Sequence, residues 1–352
     1  MTDMLPLIKE LASAPGVSGY EAGVRPIIER AWKPFTDKLN VSRLGSLHGF
    51  QKGTGNEPRP SILVAAHMDA IGLMVNAIVD GFLRLTSIGG MDVRVLPGQM
   101  VTVYGRKELP GMIVPTPARL LPFSAQGGSV PLEYLLVDVG LLPDEVSQMV
   151  QVGDLVSFAQ QPFEVGGEAV VGHTLDNRVS VAALTYCLEM LSGRPHPWDV
   201  WAVATVQEEV TTAGAFTSAF QLHPSLCLTI DVTFGREPKS PSHLSFPMGE
   251  GPTLMLGPVT HPYLYKTVQG LAERLEIPLS VEPAPRYSAT DSDAMQVVAE
   301  GIPNIILGVP LRYMHTPVEM VKLVDLNRVA RLAVEFIAQL DENFMDKLAW
   351  ED

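Results

Sequence analysis

"DVWAVATVQEEVTTAGA", residues 199–215, decides how the rest of the chain is read. It opens with a mostly apolar, β-branched run, the pattern of a buried strand. Two adjacent carboxylates follow, Glu208 and Glu209. A turn then leads into small and apolar residues at helical spacing, "TAGAFTSAFQL" (212–222). A buried strand running straight into a helix is half of an α/β unit. The carboxylate pair is the anomaly. Neighbouring anions repel, and each is costly to desolvate at the mouth of a buried strand.

Working outward, the same alternation continues. "SILVAAH" (61–67), "LCLTIDV" (226–232) and "NIILGVP" (304–310) have strand length and composition. "DNRVSVAALTYCLEML" (176–191), "HPYLYKTVQGLAERLE" (261–276), "SDAMQVVAEG" (292–301) and "DLNRVARLAVEFIAQLDENF" (325–344) read as helices, as do residues 4–13. Ser18 and Glu21 in "SGYE" have the spacing of a capping box opening a helix to about residue 33. Strands alternating with helices imply an α/β sandwich whose middle is mostly parallel.

Residues 73–165 have another texture. Short strand-like runs ("MVNAIVDGFLRLTSIGG", "QMVTVYG", "LPGMIVP", "YLLVDVG", "DLVSFAQQPFEVGG") are punctuated by Gly and Pro, with little helical period. They read as a small β-domain or barrel inserted into a unit made of residues 1–72 and 166–352. "RLLPFSAQGGSV" (119–130) reads as its most flexible loop.

Composition narrows the function. The 352 residues are 46% hydrophobic, enough for a sizeable core, and the net charge is -14. Such a charge repels nucleic acid and anionic membranes, so neither is expected as a partner. No apolar run has the length of a membrane span. The first residues lack the basic-then-apolar order of a secretory signal, and a cytoplasmic location is expected. Cys187 and Cys227 sit in apolar segments and read as small buried hydrophobes.

In open α/β sheets, ligands bind beyond the carboxyl ends of the strands. The polar residues there are therefore the candidates. His67 follows the first of these strands, Asp176 opens a helix, and Glu208 and Glu209 follow "VATVQ". Asp231 ends an apolar run, and His315 follows "NIILGVP". Imidazoles mixed with carboxylates suit Zn, Co or Mn. A divalent cation would also explain the acid pair, by holding adjacent carboxylates ionised. One would bind metal while the other faced a water as general base.

The order of these motifs carries a resemblance. "AAHMDAIGLMV", "TLDNRVSVAAL", "TVQEEVTTAGA", "TIDVTFG" and "GVPLRYMHTPVEM" resemble the dinuclear metalloaminopeptidases of the glutamyl-aminopeptidase family, tetrahedral-assembly enzymes of which some carry an endoglucanase label. "LASAPGVSGYE" and "YLLVDVG" extend the likeness over nearly the whole chain. The resemblance implies a zinc-peptidase-like α/β/α sandwich with an inserted small β-barrel used in assembly, often into dodecamers. It implies two divalent ions, Zn or Co with Mn as an alternative. His67 and Asp231 would hold one, Glu209 and His315 the other, and Asp176 would bridge them. Glu208 would be the base, and Asp69 would orient His67 by accepting its second ring hydrogen. The substrates would be peptides with a free N-terminus.

The chain departs from the family pattern in three places. Ala70 follows "HMD" where an acid is common, Asn177 replaces an Asp, and Ser288-Ala289 replace a glycine pair. These leave the ligands intact and bear on specificity. Arg286, Arg312 and Tyr313 are near enough to the motifs to line the pocket. Alternatives at this stage are a two-metal deacylase or carboxypeptidase, an endoglucanase, and a non-catalytic binding scaffold. Glycoside hydrolysis normally uses two carboxylates flanking a sugar rather than a metal pair.

Overall fold

The structure is a computed structural model describing residues 3–125 and 127–348. Gln126, in the loop expected to be flexible, lies outside the described residues, as do the chain ends. The strands are β1 (Lys38–Val41), β2 (Leu47–Gln51), β3 (Ser61–His67), β4 (Gly72–Val79), β5 (Phe82–Ile88), β6 (Met100–Tyr104), β7 (Glu108–Pro115), β8 (Leu135–Asp138) and β9 (Leu155–Phe158). They continue as β10 (Phe163–Val165), β11 (Ala169–Gly172), β12 (Asp199–Thr205), β13 (Leu226–Phe234), β14 (Thr253–Leu256), β15 (Ser280–Pro283), β16 (Asn304–Leu311) and β17 (Glu319–Lys322). The helices are α1 (Leu5–Ser13), α2 (Arg25–Trp32), α3 (Pro143–Met149), α4 (Leu175–Ser192), α5 (Glu208–Thr211), α6 (Ala213–Leu222), α7 (Pro262–Arg274), α8 (Asp291–Met295) and α9 (Leu323–Ala338).

Eight strands form the central sheet in the order β1-β2-β12-β3-β13-β16-β14-β15. Its middle four, β12, β3, β13 and β16, run parallel, as the sequence implied. These strands are buried on both faces, so they read as continuous apolar runs rather than alternating ones. One face is covered by α1, α4, α7 and α9 around the largest apolar core, which includes Ile62, Val64, Leu188, Leu228 and Phe336. On the other face Ala215 and Ala219 of α6 and Met295 of α8 pack with Leu63, Val203 and Cys227. The layers are therefore α/β/α. Both cysteines are free and buried. Burial raises the thiol pKa of Cys187 to about 12, the behaviour of a structural side chain.

The inserted region closes into a six-stranded barrel, β4-β5-β8-β7-β6-β9. Its own core includes Leu73, Val75, Leu83, Val101, Ile113, Val137 and Phe158. β7 shows the cause: Leu109, Gly111 and Ile113 point inward while their neighbours point out. β10 pairs with β11, and β11 with β17, in a separate three-stranded sheet.

Several local expectations are corrected. The Ser18–Glu21 capping box does not form. The Ser18 hydroxyl has no partner, residues 21–23 make one 3₁₀ turn, and the helix begins at Arg25. The Glu21 carboxylate turns inward and accepts from the amides of Gly19 (2.6 Å) and Gln207 (3.2 Å). The helix expected over 292–301 lasts only from Asp291 to Met295, and the final long helix ends at Ala338. The outer strands of the sheet, β1 and β2 on one side and β14 and β15 on the other, and the helix α3 are not predicted from the sequence.

Candidate metal centre

The parallel register assembles the centre. Thr205, the last residue of β12, lies opposite His67, the last of β3. The chain leaving β12 therefore emerges beside the imidazole. Gln207 (φ 60°) and Thr212 (φ 53°) are left-handed and bracket the single turn α5. Its amides have a buried acceptor. The Asp69 carboxylate takes the Glu208 amide at 3.0 Å and the Glu209 amide at 3.2 Å. Satisfying those helix-terminal donors aims both glutamates into one cavity.

In that cavity the Glu208 Oε2 is 3.7 Å from His67 Nε2, and the Glu209 Oε2 is 3.3 Å from His315 Nε2. Asp231 Oδ1 is 3.7 Å from His67 Nε2. Asp176 stands between the two rings, Oδ1 3.2 Å from His67 Nε2 and Oδ2 3.3 Å from His315 Nε2. It opens α4 with non-helical φ and ψ, as does Asn177, whose amide nitrogen donates to the Ile230 carbonyl at 3.0 Å. All six residues are thus brought together. His67 and Asp176 with Glu209 offer one atom each within 4.8 Å of one another.

The ring of His67 is oriented by a main-chain group. Its Nδ1 is 3.2 Å from the Asp69 carbonyl and 3.6 Å from the Asp69 carboxylate, which serves the two α5 amides. A carbonyl only accepts, so in the neutral imidazole Nδ1 carries the hydrogen and Nε2 presents its lone pair to the cavity.

The electrostatics are those of too many buried acids. Burial raises the Glu208 carboxyl to about 10, and it raises Glu209 and Asp231 as well. Burial alone would lower both imidazoles, but the carboxylates around them prevail. Glu208 with Asp176, Asp69 and Asp231 lifts His67 well above its usual value, and Asp176 with Glu209 lifts His315 to about 11. Asp176 shows the reverse balance: against burial, the two rings hold its carboxyl below the ordinary range. Four carboxylates beside two neutral imidazoles leave charge that two divalent cations would balance. The buried Glu209 Oε1 has no hydrogen-bond partner, as a ligand oxygen awaiting a cation would. Nitrogen and oxygen donors in this ratio fit Zn, Co or Mn.

The sequence reading missed the supports. Glu319 of β17 is buried, and its carboxylate accepts the amides of His315 (2.9 Å) and Asp176 (3.1 Å). Its signal was an acid placed four residues after His315 inside a strand. Asp291 is also buried. It accepts from the Thr205 hydroxyl through Oδ2 while Oδ1 is unpartnered, and burial raises its carboxyl to about 7.

The centre opens into a cavity of about 420 Å³ that also touches Gly90, Thr233, Met255, Glu282, Ser288 and Ala289. Ser288-Ala289 thus lie where their departure from the family pattern can matter. Arg286, Arg312 and Tyr313 are not among its lining residues. Arg312 instead donates to the Arg236 carbonyl, and the Tyr313 amide to Glu237.

The M42 glutamyl aminopeptidase family model matches residues 45–332. A lysyl aminopeptidase of Pyrococcus furiosus is 33% identical over 340 residues, covering 95% of this chain and 96% of that one. The TET aminopeptidase of a marine-sediment Thaumarchaeota archaeon superposes with a TM-score of 0.93 at 29% identity, over 98% of this chain and 99% of the other. The TET1 peptidase of Pyrococcus horikoshii, which can assemble into a tetrahedron or a large octahedral shell, gives 0.83 at 29% identity over 96% and 100%.

Proposed function

The chain belongs to the M42 glutamyl aminopeptidase family, which makes it a metallo-aminopeptidase, and from that premise we propose the following division of labour. His67 and Asp231 would hold one divalent cation, Glu209 and His315 a second, and Asp176 would contribute to both. The observation that carries this is the Asp176 carboxylate, whose two oxygens face two different imidazoles at 3.2 and 3.3 Å. The cations, Zn, Co or Mn, would supply Lewis acidity and lower the pKa of a water to the neutral range.

The chain's own groups do the rest. Of the three acids within 4 Å of His67 Nε2, Asp176, Asp231 and Glu208, Glu208 is the one left over from the ligand set. Its Oε2 accepts the water proton and returns it to the leaving amine. Asp69 fixes the turn that presents Glu208, and its carbonyl fixes the His67 ring. Glu319 holds the backbone at Asp176 and His315. The cavity then admits the N-terminal residue of a peptide.

The insert, residues 73–165, serves assembly, and residues 1–72 with 166–352 form the catalytic unit. The barrel exposes apolar side chains such as Phe123 and Leu142, which a homo-oligomer would cover. A dodecamer, the state recorded for a related TET peptidase, is the expected form. No described helix is long and apolar enough to cross a membrane. The cytoplasm suits two free buried thiols.

The test is release of p-nitroaniline from aminoacyl-p-nitroanilides by chelated protein after Zn, Co or Mn is added back. Metal-dependent release that stops when the substrate amine is acetylated supports an aminopeptidase. Release that tolerates acetylation, or none with two metals bound per chain, refutes it.

A further inference from the structure

Beyond the metal ligands, the catalytic cavity carries a built anionic group. Glu282 of β15 is half-buried, and both its oxygens are hydrogen-bonded: Oε1 accepts from the Thr233 hydroxyl and Oε2 from the Thr253 hydroxyl, each at 2.6 Å. The floor beneath it is Gly308 of β16. A Cβ there would stand 3.2 Å from Glu282 Oε2, 3.1 Å from a Thr233 methyl, and in collision with the Thr253 hydroxyl. Only glycine leaves room for the Thr–Glu–Thr cluster at this point.

Its place is informative. Thr233 lies two residues beyond Asp231 on β13, so both side chains project from the same face, roughly 7 Å apart along the strand. Glu282 therefore sits about one side-chain length from the metal centre, within the same cavity. Asp293 lines that cavity too, its carboxylate taking the amides of Ser288 and Ala289 at 2.8 Å each. No described Lys or Arg lines it. Burial raises the Glu282 carboxyl, while the two hydroxyls oppose that shift. A carboxylate given two hydroxyl donors and no cation, at the wall of a substrate cavity, lacks one complement: a positive charge.

We propose that Glu282 is a specificity-determining residue that selects a cationic side chain, lysine or arginine, at the N-terminus of the peptide. The ammonium or guanidinium reaches past Asp231 to the Glu282 carboxylate, while the scissile carbonyl stays at the metal centre. An acidic N-terminal residue meets two carboxylates and is rejected. This rests on the aminopeptidase reading above.

The experiment uses full-length, metal-loaded protein with Lys-, Arg-, Leu- and Glu-p-nitroanilides. Lys and Arg are expected to exceed Leu at least tenfold in kcat/KM, with Glu lowest. Glu282→Gln should lose at least tenfold on Lys and Arg, mainly through KM, and stay within about twofold on Leu. A preference for Leu or Glu overturns the proposal. So does an equal loss on every substrate, which would make Glu282 an anchor for the α-amine common to all. Binding is read separately, as the rise in Tm given by lysine amide over norleucine amide. If nothing is hydrolysed but this difference is present and vanishes in Glu282→Gln, the aminopeptidase reading falls and Glu282 selectivity stands. If the two amides behave alike, the selectivity falls whatever the activity.

Discussion

The two halves of the molecule bury different things. In the sandwich, the interior holds His67, Asp69, Asp176, Arg178, Asp231, Asp291 and Glu319 alongside its apolar core. In the barrel, from Gly72 to Phe158, no described polar or charged side chain is buried. The barrel also contains no histidine, whereas the rest of the chain has all eight. Burying a polar group costs free energy unless its bonds are satisfied. The sandwich meets that cost with backbone donors: α5 amides on Asp69, the His315 and Asp176 amides on Glu319. The barrel never incurs it. The candidate metal ligands thus all lie in the half that stores buried charge, while the barrel carries exposed apolar side chains such as Phe123 and Leu142 on its surface. Among the described residues, Gly90 is the one through which it lines the cavity of the candidate metal centre.

The sharpest way to break this contrast is to remove one charge without changing shape. Glu208→Gln should cut kcat by roughly a thousandfold, in the range for a lost general base, while retaining both metals by elemental analysis. Empty metal sites in that variant would mean that Glu208 is a ligand and that the base lies elsewhere. A barrel change should do the opposite. Leu83, fully buried in the barrel core, leaves a cavity when truncated. Leu83→Ala should cost about 2–5 kcal/mol of barrel stability, read by hydrogen exchange of β5 and β8, with metal content unchanged. Loss of metal in Leu83→Ala would show that the halves are coupled.

A smaller effect sharpens the role of the supports. Glu319→Gln keeps the size but weakens the acceptor for two ligand-bearing amides. Groups that orient metal ligands typically contribute 10–100-fold in affinity. Competition with a chelator should therefore show weaker metal binding by that factor, with kcat at saturating metal nearly intact. An unchanged affinity would reduce Glu319 to a structural acid.

How much was legible follows from the same contrast. Ser61–His67 was read to the residue, because a strand buried on both faces is a continuous apolar run that stops where the polar site begins. The same rule found Asp231 and His315. It missed β1 and β15, exposed edge strands with no such run. "SDAMQVVAEG" has helical spacing, and Val298 still packs in the core beside Met295, but the helix stops at Met295 and the chain turns through a left-handed Ala299 (φ 53°). The capping box does not form because the Glu21 carboxylate is taken by the amides of Gly19 and of Gln207, the second a partner 186 residues away that local spacing does not reveal. Glu319 and Glu282 were hidden for a related reason. Each acts through a neighbour in space, and a lone acid in a strand looks like a solvated one.

The smallest effect concerns protons. His48, in β2, is buried against the Ser218 hydroxyl (2.9 Å) and Asn40, and burial lowers its pKa to about 4. Unfolded, the ring titrates near its usual value of about 6.5. Between those two values the unfolded chain binds the proton and the native one does not. Stability contributed by the neutral ring is therefore complete above the unfolded value and declines as pH falls toward 4. From pH 7 to 5.5 the decline is on the order of 1 kcal/mol for this ring. His173 behaves alike, lowered to about 4 by burial and by Arg178, with its Nδ1 donating to the Gln160 carbonyl at 2.9 Å. Urea titrations at the two pH values, set against His48→Gln, isolate the first ring. The wild type should lose about 1 kcal/mol more than the variant, and the difference should appear in probes of the sandwich and not of the barrel. Equal losses in both proteins would mean that His48 is hydrated enough to protonate in place, and that the buried polar interior of the sandwich is wetter than its geometry implies.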